Sequence, residues 1–389
     1  MPVNSHYWII FAALLIGVLP INTFAHDADS YGGLYRSRDA GATWLPADAG
    51  LYINASNAVA ISAADSNHLL YGTDTQLLRS NNGGRDWHEQ ALVTGPVFCA
   101  AFDRDGHGAF AANPNGLFRS DDGVNWRMIE VSSMAIPIAQ IVVGRTHVYL
   151  AGNDGLYIGN ASGQDWRGPA NGLPEEAISA LLLTEGNTQA SIHAVLAGRI
   201  WRSTDGGATW QQAAGDWRDQ RVDTITTDPD DQRRLWAAGA SRLFRSDDAG
   251  ETWLPHGKPL PDPNIFIRGI AVAVTGSVIV LTTHRGVMRS ADSGASWEKI
   301  ESALPLHLEA SPLAQDATNP SIVYAGFSLH PYSEAWRAAQ EAAQQLRQAR
   351  SRNRNSVFAL AIGGVLLIGA LGFFLRKKAA EQRAASIKS

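Results

Sequence analysis

Two pairs of carboxylates are the side chains in this sequence best suited to hydrolytic chemistry. Glu175 and Glu176 are adjacent, while Asp74 and Asp154 fall in corresponding loops of a repeat described below. Glycoside hydrolysis uses two carboxyl groups, and the distance between them decides whether the second acts as nucleophile or base. Position along the chain does not give that distance. A glycoside hydrolase is therefore the alternative function.

Metal-ion and thiol chemistry have little support. Cys99 is the single cysteine, which excludes an intramolecular disulfide framework and cysteine-based metal sites. Its apolar surroundings are typical of an inner strand, so a buried residue is favoured over a nucleophile. The eleven histidines show no pair at ligand spacing. We expect no metal, no cofactor and no catalytic residue.

Aspartates recur in tight turns that precede seven regularly spaced tryptophans. The intervals run from 39 residues (Trp87 to Trp126) to 44 residues (Trp166 to Trp210). The complete turns contain Ser, Asp, Gly and Trp in fixed order: Ser37, Asp39, Gly41, Trp44; Ser203, Asp205, Gly207, Trp210; Ser246, Asp248, Gly250, Trp253; Ser290, Asp292, Gly294, Trp297. Each turn offers one or two oxygen ligands where calcium needs several, so a structural turn is favoured over a metal site.

This phrase resembles the Asp-box, or BNR, repeat of β-propellers. The resemblance covers residues 31–330 and implies an all-β fold. A repeat of about 43 residues carries four strand-like stretches, which is the content of one propeller blade. An arginine precedes the box serine in six copies, at Arg36, Arg79, Arg119, Arg202, Arg245 and Arg289. A residue repeated in this way predicts a structural bond within or between blades.

The ends of the repeat region predict how the ring closes. The first box, at residues 37–44, has only two strands, and residues 308–327 supply two strands without a box. Together they make one blade, which leaves no open sheet edge. We therefore expect a seven-bladed β-propeller with interlocked termini.

The two chain ends predict a membrane protein. Residues 1–25 contain an apolar run typical of a signal peptide, and residues 356–375 form an uncharged segment long enough for a transmembrane helix. Residues 331–355 predict a helical stalk or linker, with binding in a groove as the alternative. Residues 376–389 are a basic tail, but arginines also precede the apolar segment, so charge alone does not set the orientation. The signal peptide decides it and places the tail on the cytoplasmic side. The propeller then lies on the periplasmic or extracellular side of the inner membrane.

Propeller topology places a basic patch on one face. The residues are Arg199, Trp217, Arg218, Arg221, Arg242, Phe266, Arg268 and Arg285, hereafter the arginine sector. They fall in three consecutive blades, in loops on the face opposite the boxes. In a chain of formal net charge −5, such a patch suits a carboxylate-bearing partner or an anionic surface. The overall charge argues against nucleic-acid binding.

Two known families share parts of this pattern. Sialidases contain Asp boxes, but their Phe/Tyr-Arg-Ile-Pro phrase is replaced here by Tyr35-Arg36-Ser37. Seven blades, boxes such as residues 201–210 and an export signal resemble the photosystem II stability and assembly factor family. That resemblance implies a non-catalytic propeller that binds a membrane-protein partner through an arginine-rich face. The expected function is binding of a protein or glycan in the assembly or stability of an envelope complex.

Overall fold

The computed structural model describes residues 32–131, 137–168, 170–185, 190–217, 220–342, 344–345 and 348. The predicted signal peptide, transmembrane helix and basic tail lie outside the described residues. Within the described part, no helix has the length and apolar character needed to cross a bilayer. Arg218 also lies outside it.

The described residues form 28 strands in seven sheets, one for each predicted blade, and the strands within each three- or four-stranded core pair antiparallel. The chain begins with β1 (Gly33–Ser37) and β2 (Leu45–Pro46), which belong to blade 7. Blade 1 comprises β3 (Ser56–Ile61), β4 (Leu69–Thr73), β5 (Gln76–Ser80) and β6 (His88–Thr94). Blade 2 comprises β7 (Cys99–Phe102), β8 (Ala109–Asn113), β9 (Gly116–Ser120) and β10 (Trp126–Ile129).

The next blades follow the same order from the centre outward. Blade 3 comprises β11 (Ile138–Val143), β12 (His147–Gly152) and β13 (Gly155–Asn160), and blade 4 comprises β14 (Ile178–Glu185), β15 (Ala190–Leu196), β16 (Arg199–Ser203) and β17 (Gln211–Gln212). In blade 3 a single bridge between Ile158 and Arg167 stands where the other blades have an outer strand.

Three sheets complete the ring. Blade 5 comprises β18 (Ala214–Gly215), β19 (Thr224–Thr227), β20 (Leu235–Gly239), β21 (Arg242–Ser246) and β22 (Thr252–His256), with β18 parallel to β22 at the rim. Blade 6 comprises β23 (Ile267–Ala273), β24 (Val278–Thr283), β25 (Gly286–Ser290) and β26 (Glu298–Ile300), and the last strands are β27 (Glu309–Gln315) and β28 (Val323–Ser328).

The predicted closure is confirmed. β1 pairs with β28 along its whole length, from Gly33 opposite Phe327 to Ser37 opposite Val323. Blade 7 therefore has the order β27, β28, β1, β2 from the centre outward. The innermost strands of neighbouring blades contact one another around the ring, including β27 with both β23 and β3.

The core lies between blades rather than inside one layer. Seven apolar clusters each join two neighbouring blades, as where Trp44 of blade 7 packs with Val280 of blade 6. Middle strands are therefore covered on both faces, and β4, β8 and β24 are buried at every residue. Strands buried on both faces read as continuous apolar runs rather than alternating ones.

Among the described residues, a single helix, α1, follows the last strand. It spans residues 332–342, and residues 344, 345 and 348 are also helical. It lies in the predicted stalk. The ring is already closed by Ser328, so α1 is an addition to the propeller and not part of its sheets.

Candidate binding face at the mouth of the ring

The propeller has two unlike faces. The Asp boxes join the third and fourth strands of each blade and lie on one face, hereafter the box face. The links from blade to blade, and from second to third strands, lie on the opposite face, hereafter the mouth face. Backbone bonds tie these links together there, as where Val97 N–H donates to the carbonyl of Thr73 at 3.0 Å.

The side chains of each complete box satisfy one another. In the first box, Ser37 Oγ accepts the Gly41 N–H and donates to Asp39 Oδ1, both at 2.8 Å. Asp39 also accepts the N–H of Thr43 at 2.8 Å and its hydroxyl at 2.6 Å. Trp44 Nε1 donates to the carbonyl of Gly41 at 3.0 Å. The serine and aspartate bonds recur in the other complete boxes, beginning at Ser203, Ser246 and Ser290. Trp210 and Trp253 also donate to their box glycines, whereas Trp297 Nε1 donates to the carbonyl of Lys258 at 3.0 Å.

These bonds dominate the electrostatics of the box carboxylates. The side-chain and then the backbone hydrogen bonds from Ser296 lower the pKa of Asp292 to about 2. The equivalent bonds from Thr209 hold the pKa of Asp205 below its usual range. Among the described residues, no three His, Cys, Asp or Glu side chains converge as metal ligands would. The box aspartates act as turn-forming acceptors.

Glycine in the box meets both a conformational and a steric requirement. Gly250 has φ +85°, and a Cβ there would lie 2.4 Å from Nε2 of His193 in blade 4. His193 Nε2 in turn lies 3.2 Å from the carbonyl of Ala249. The box of blade 5 thus packs directly against the preceding blade, and a larger residue would separate them.

Four of the six arginines that precede a box serine tie one blade to the next. Arg36 donates to the carbonyl of Gly83 at 2.8 Å and Arg79 to that of Asp122 at 3.3 Å, and both acceptors lie in the following blade's box. Arg289 reaches the carbonyl of Ala40 at 3.0 Å across the closure. Arg202 bridges to Glu251 at 3.3 Å. Arg119 and Arg245 pair instead with aspartates of their own blades.

The described arginines of the sector all lie on the mouth face, but several have internal partners. Arg199 donates to the carbonyls of Gly198 and Gln220, both at 2.9 Å. Arg285 is ion-paired with Asp262. Arg221 is exposed and Arg242 half-buried, and neither has a hydrogen-bonding or ionic partner among the residues the structure describes. These last two are the guanidinium groups most available to a ligand.

The sequence predicted that Arg268 lies in a loop, and this is wrong. It is the second residue of β23 and pairs through Nε with Glu309 Oε1 of β27 at 3.2 Å. A register shift between Ile267 and Gly269 makes Arg268 a bulge residue, which re-aims its side chain toward the ring opening. The Arg268 side chain is 37% exposed and that of Glu309 only 8%.

The two aromatic members of the sector have different environments. Phe266 is 51% exposed and packs beside His284, with ring centroids 5.3 Å apart. Trp217 packs against Phe244 and Trp253, at 5.3 Å and 6.2 Å between centroids, and belongs to the cluster between blades 4 and 5. Phe266 is therefore placed for a ligand, while Trp217 contributes to the core.

The candidate catalytic carboxylates are not brought together. Asp74 lies in the β4–β5 loop of blade 1, where it accepts a bond from Asn54 at 3.2 Å. Asp154 lies in the β12–β13 loop of blade 3 and accepts the hydroxyl of Tyr157 at 2.9 Å. Blade 2 stands between them. Glu175 and Glu176 are exposed in the link before β14.

Helix α1 adds residues to the mouth face that the sequence did not single out. Its Trp336 and Tyr332 contact Phe98, with centroids 5.0 Å and 5.9 Å away, just before β7. Gln340 Nε2 donates to Asn153 Oδ1 of blade 3 at 3.0 Å. The helix therefore extends across the opening from blade 7 toward blades 2 and 3. The signal available in the sequence was the helical spacing of Tyr332, Trp336 and Ala339, which puts these three side chains on one face.

Comparisons with known proteins support the propeller fold. Residues 53–228 match the model of the DUF6242 β-propeller domain. A structure of YCF48 from Cyanidioschyzon merolae is similar at 14% sequence identity, with a TM-score of 0.54, and the match covers 71% of this chain and 95% of that one. A structure described as YCF48 bound to a D1 peptide is similar at 16% identity, with a TM-score of 0.53, and the match covers 71% of this chain and 93% of that one. The extracellular domain of a hybrid two-component system from B. thetaiotaomicron is also similar (13%, 0.58, 72% and 38%). No curated protein matches the sequence. The chain is thus a seven-bladed β-propeller that is similar in fold to YCF48.

Proposed function

We propose that this chain is a non-catalytic, membrane-tethered propeller that binds an acidic segment of a protein partner on the mouth face. The observation that carries the proposal is the position of Arg221 and Arg242, two guanidinium groups with no described internal partner, in the same sector as exposed Phe266. Guanidinium groups bind carboxylates with two parallel hydrogen bonds, and an adjacent aromatic ring adds apolar contact area.

The resemblance to YCF48 supports a protein partner over a glycan. One of the similar structures is described as YCF48 bound to a D1 peptide, so a protein of this fold binds a peptide. Membrane tethering, and a role in the assembly or stability of an envelope complex, rest on the apolar segment at residues 356–375 and the apolar run within residues 1–25. The glycosidase alternative loses support because Asp74 and Asp154 lie on different blades and each has a hydrogen bond of its own.

The test is capture of envelope proteins by the full chain carrying Arg221→Ala and Arg242→Ala. Charge-assisted hydrogen bonds contribute about 1.5–3 kcal/mol each, so losing two weakens binding by at least about tenfold. The matched control is Arg38→Ala with Arg85→Ala, which removes the same charge from exposed positions on the box face. Both variants should retain the melting temperature of the unsubstituted chain.

The proposal requires the same partner to be lost by the mouth variant and kept by the control. Equal capture by the two variants, with both folded, would refute it. Hydrolysis of a glycan that is abolished by Glu175→Gln or Glu176→Gln would establish the alternative function.

A further inference from the structure

Helix α1 is held on the ring by one stripe of side chains. Tyr332, Trp336, Ala339 and Gln340 occupy positions i, i+4, i+7 and i+8, which share one face of a helix. Ala339 is 3% exposed, and the Tyr332 and Trp336 rings stack on each other at 6.2 Å. Arg337 and Glu341, on the other side, are exposed. The helix is amphipathic and presents its apolar stripe to the mouth.

The receiving surface is a groove made by several blades. Phe98 meets both aromatic rings edge-on, at interplanar angles of 84° for Trp336 and 85° for Tyr332. Edge-to-face contacts of this kind are favourable beyond the area they bury. Asn153 of blade 3 contributes the polar bond to Gln340. The aromatic and amide positions of the helix thus each have a matching place on the ring.

Tyr332 marks the centre of this groove. Enclosure by protein raises the pKa of its phenol, and electrostatic contributions reach it from Cys99 in blade 2 and Arg268 in blade 6. Those two residues lie at the mouth ends of their inner strands, on well-separated blades. Together with the ring contact to Phe98, this places the phenol on the mouth face, near the start of β7 and of β23.

The attachment of α1 is weak compared with the ring itself. The strands of blade 7 pair fully without it, so its departure leaves every sheet intact. Among the described contacts, a single side-chain hydrogen bond joins α1 to the blades. The helix can leave without unfolding the propeller.

We propose that α1 is an internal ligand of the mouth and that the partner's binding segment is an amphipathic helix that replaces it. This inference rests on the proposed partner-binding function and specifies its ligand. The partner helix presents two aromatic residues four positions apart to Phe98, and places its carboxylates against Arg221 and Arg242. The unliganded chain is therefore self-blocked.

The probe is a fluorescein-labelled peptide with the sequence of residues 330–342, and the receptor is the full chain. In the unsubstituted chain α1 occupies the groove, and because it is tethered to the ring its effective concentration is on the order of millimolar. The peptide must compete with it. Tyr332→Ala with Trp336→Ala in the receptor should release α1, and fluorescence anisotropy should show at least tenfold tighter peptide binding. The matched control, Arg337→Ala with Glu341→Ala, alters the exposed side of α1 and should bind the peptide like the unsubstituted chain.

Two further arms locate the site. Phe98→Ala added to the released variant should abolish peptide binding, as should the same two alanines placed in the peptide. A second receptor carries a thrombin site between Ser328 and Pro331 and keeps every contact residue. After cleavage its C-terminal piece should dissociate from the ring in the presence of excess peptide, as measured by gel filtration.

The results separate this inference from the proposed function. Failure of the peptide to bind the released, folded variant, equal binding to the unsubstituted chain, or retention of the cleaved piece with excess peptide would each overturn the internal-ligand proposal. Loss of partner capture in the Arg221 and Arg242 variant would still stand as support for the binding function. If the peptide binds as expected but the Arg221 and Arg242 variant still captures the partner, the proposed function fails while the evidence for a helix-binding groove stands.

Discussion

Replacing Arg268 by alanine should destabilise the propeller, even though the residue lies on the proposed binding face. The substitution leaves Glu309, whose side chain is 8% exposed, without the guanidinium that now lies 3.2 Å away. Breaking a fully buried ion pair costs about 3–5 kcal/mol because an uncompensated charge remains. The Arg268 side chain is 37% exposed, so solvent screening reduces the cost to about 1–3 kcal/mol.

A double-mutant cycle tests the cause. A loss of about 1–3 kcal/mol corresponds to a decrease in melting temperature of about 2–6 °C for a large domain. Glu309→Gln removes the charge that Arg268 compensates, so Arg268→Ala should cost much less in that background. Thermal and urea unfolding of the four chains measure the coupling. Additive effects of the two substitutions, or no change in melting temperature for Arg268→Ala, would refute the reasoning.

Three other outcomes are expected. Arg289→Ala removes the bond to the carbonyl of Ala40 that joins blade 6 to blade 7, and should lower the free energy of unfolding by about 1–3 kcal/mol. The control Arg38→Ala should change that free energy by less than about 0.5 kcal/mol. Equal effects of the two substitutions in urea unfolding would contradict this. Burial lowers the pKa of His193 from 6.5 to about 4 in the folded chain, so the unfolded chain binds more protons between these values. The free energy of unfolding should therefore fall by up to about 3 kcal/mol from pH 6.5 to pH 4. The measurement is a pH series of unfolding curves for the unsubstituted chain and for His193→Gln. If the free energy of unfolding depends on pH equally in both, this histidine is excluded as the cause. Protease added outside intact spheroplasts should digest the propeller and spare residues 376–389, while a protected propeller would show that the predicted orientation is wrong.

The parts of the fold that repeat could be predicted from the sequence. Seven tryptophans at near-constant spacing fix the number of blades, because each box can only serve one hairpin. The half-blades at the two ends fix the closure, since β1 needs the partner that β28 supplies. The blade 3 box departs from the phrase, because Gly159 stands where the other copies have serine. Here Asn160 Oδ1 accepts the N–H groups of Ser162 and Gln164 in its place.

For the mouth, the sequence predicted which residue types lie on that face but not the contacts that they make. Arg268 was expected in a loop because no sequence pattern reveals a bulge at the start of an inner strand. Its pairing with Glu309 joins separate blades through residues outside the repeated box. The contact of Trp336 with Phe98 has the same character, because it joins residues far apart in sequence through a segment with no repeat.

The physical argument for placing function at the mouth is that the side chains carried there differ from blade to blade. The boxes use one serine and aspartate hydrogen-bond network in every complete copy, as expected of positions that set blade geometry. At the mouth, by contrast, the inner strands β3, β11, β14, β23 and β27 each have a register shift near their first residues. Such bulges re-aim side chains at the cost of regular pairing, and the residues they expose differ from blade to blade. A ring built from seven similar blades acquires a specific binding surface only where those blades differ.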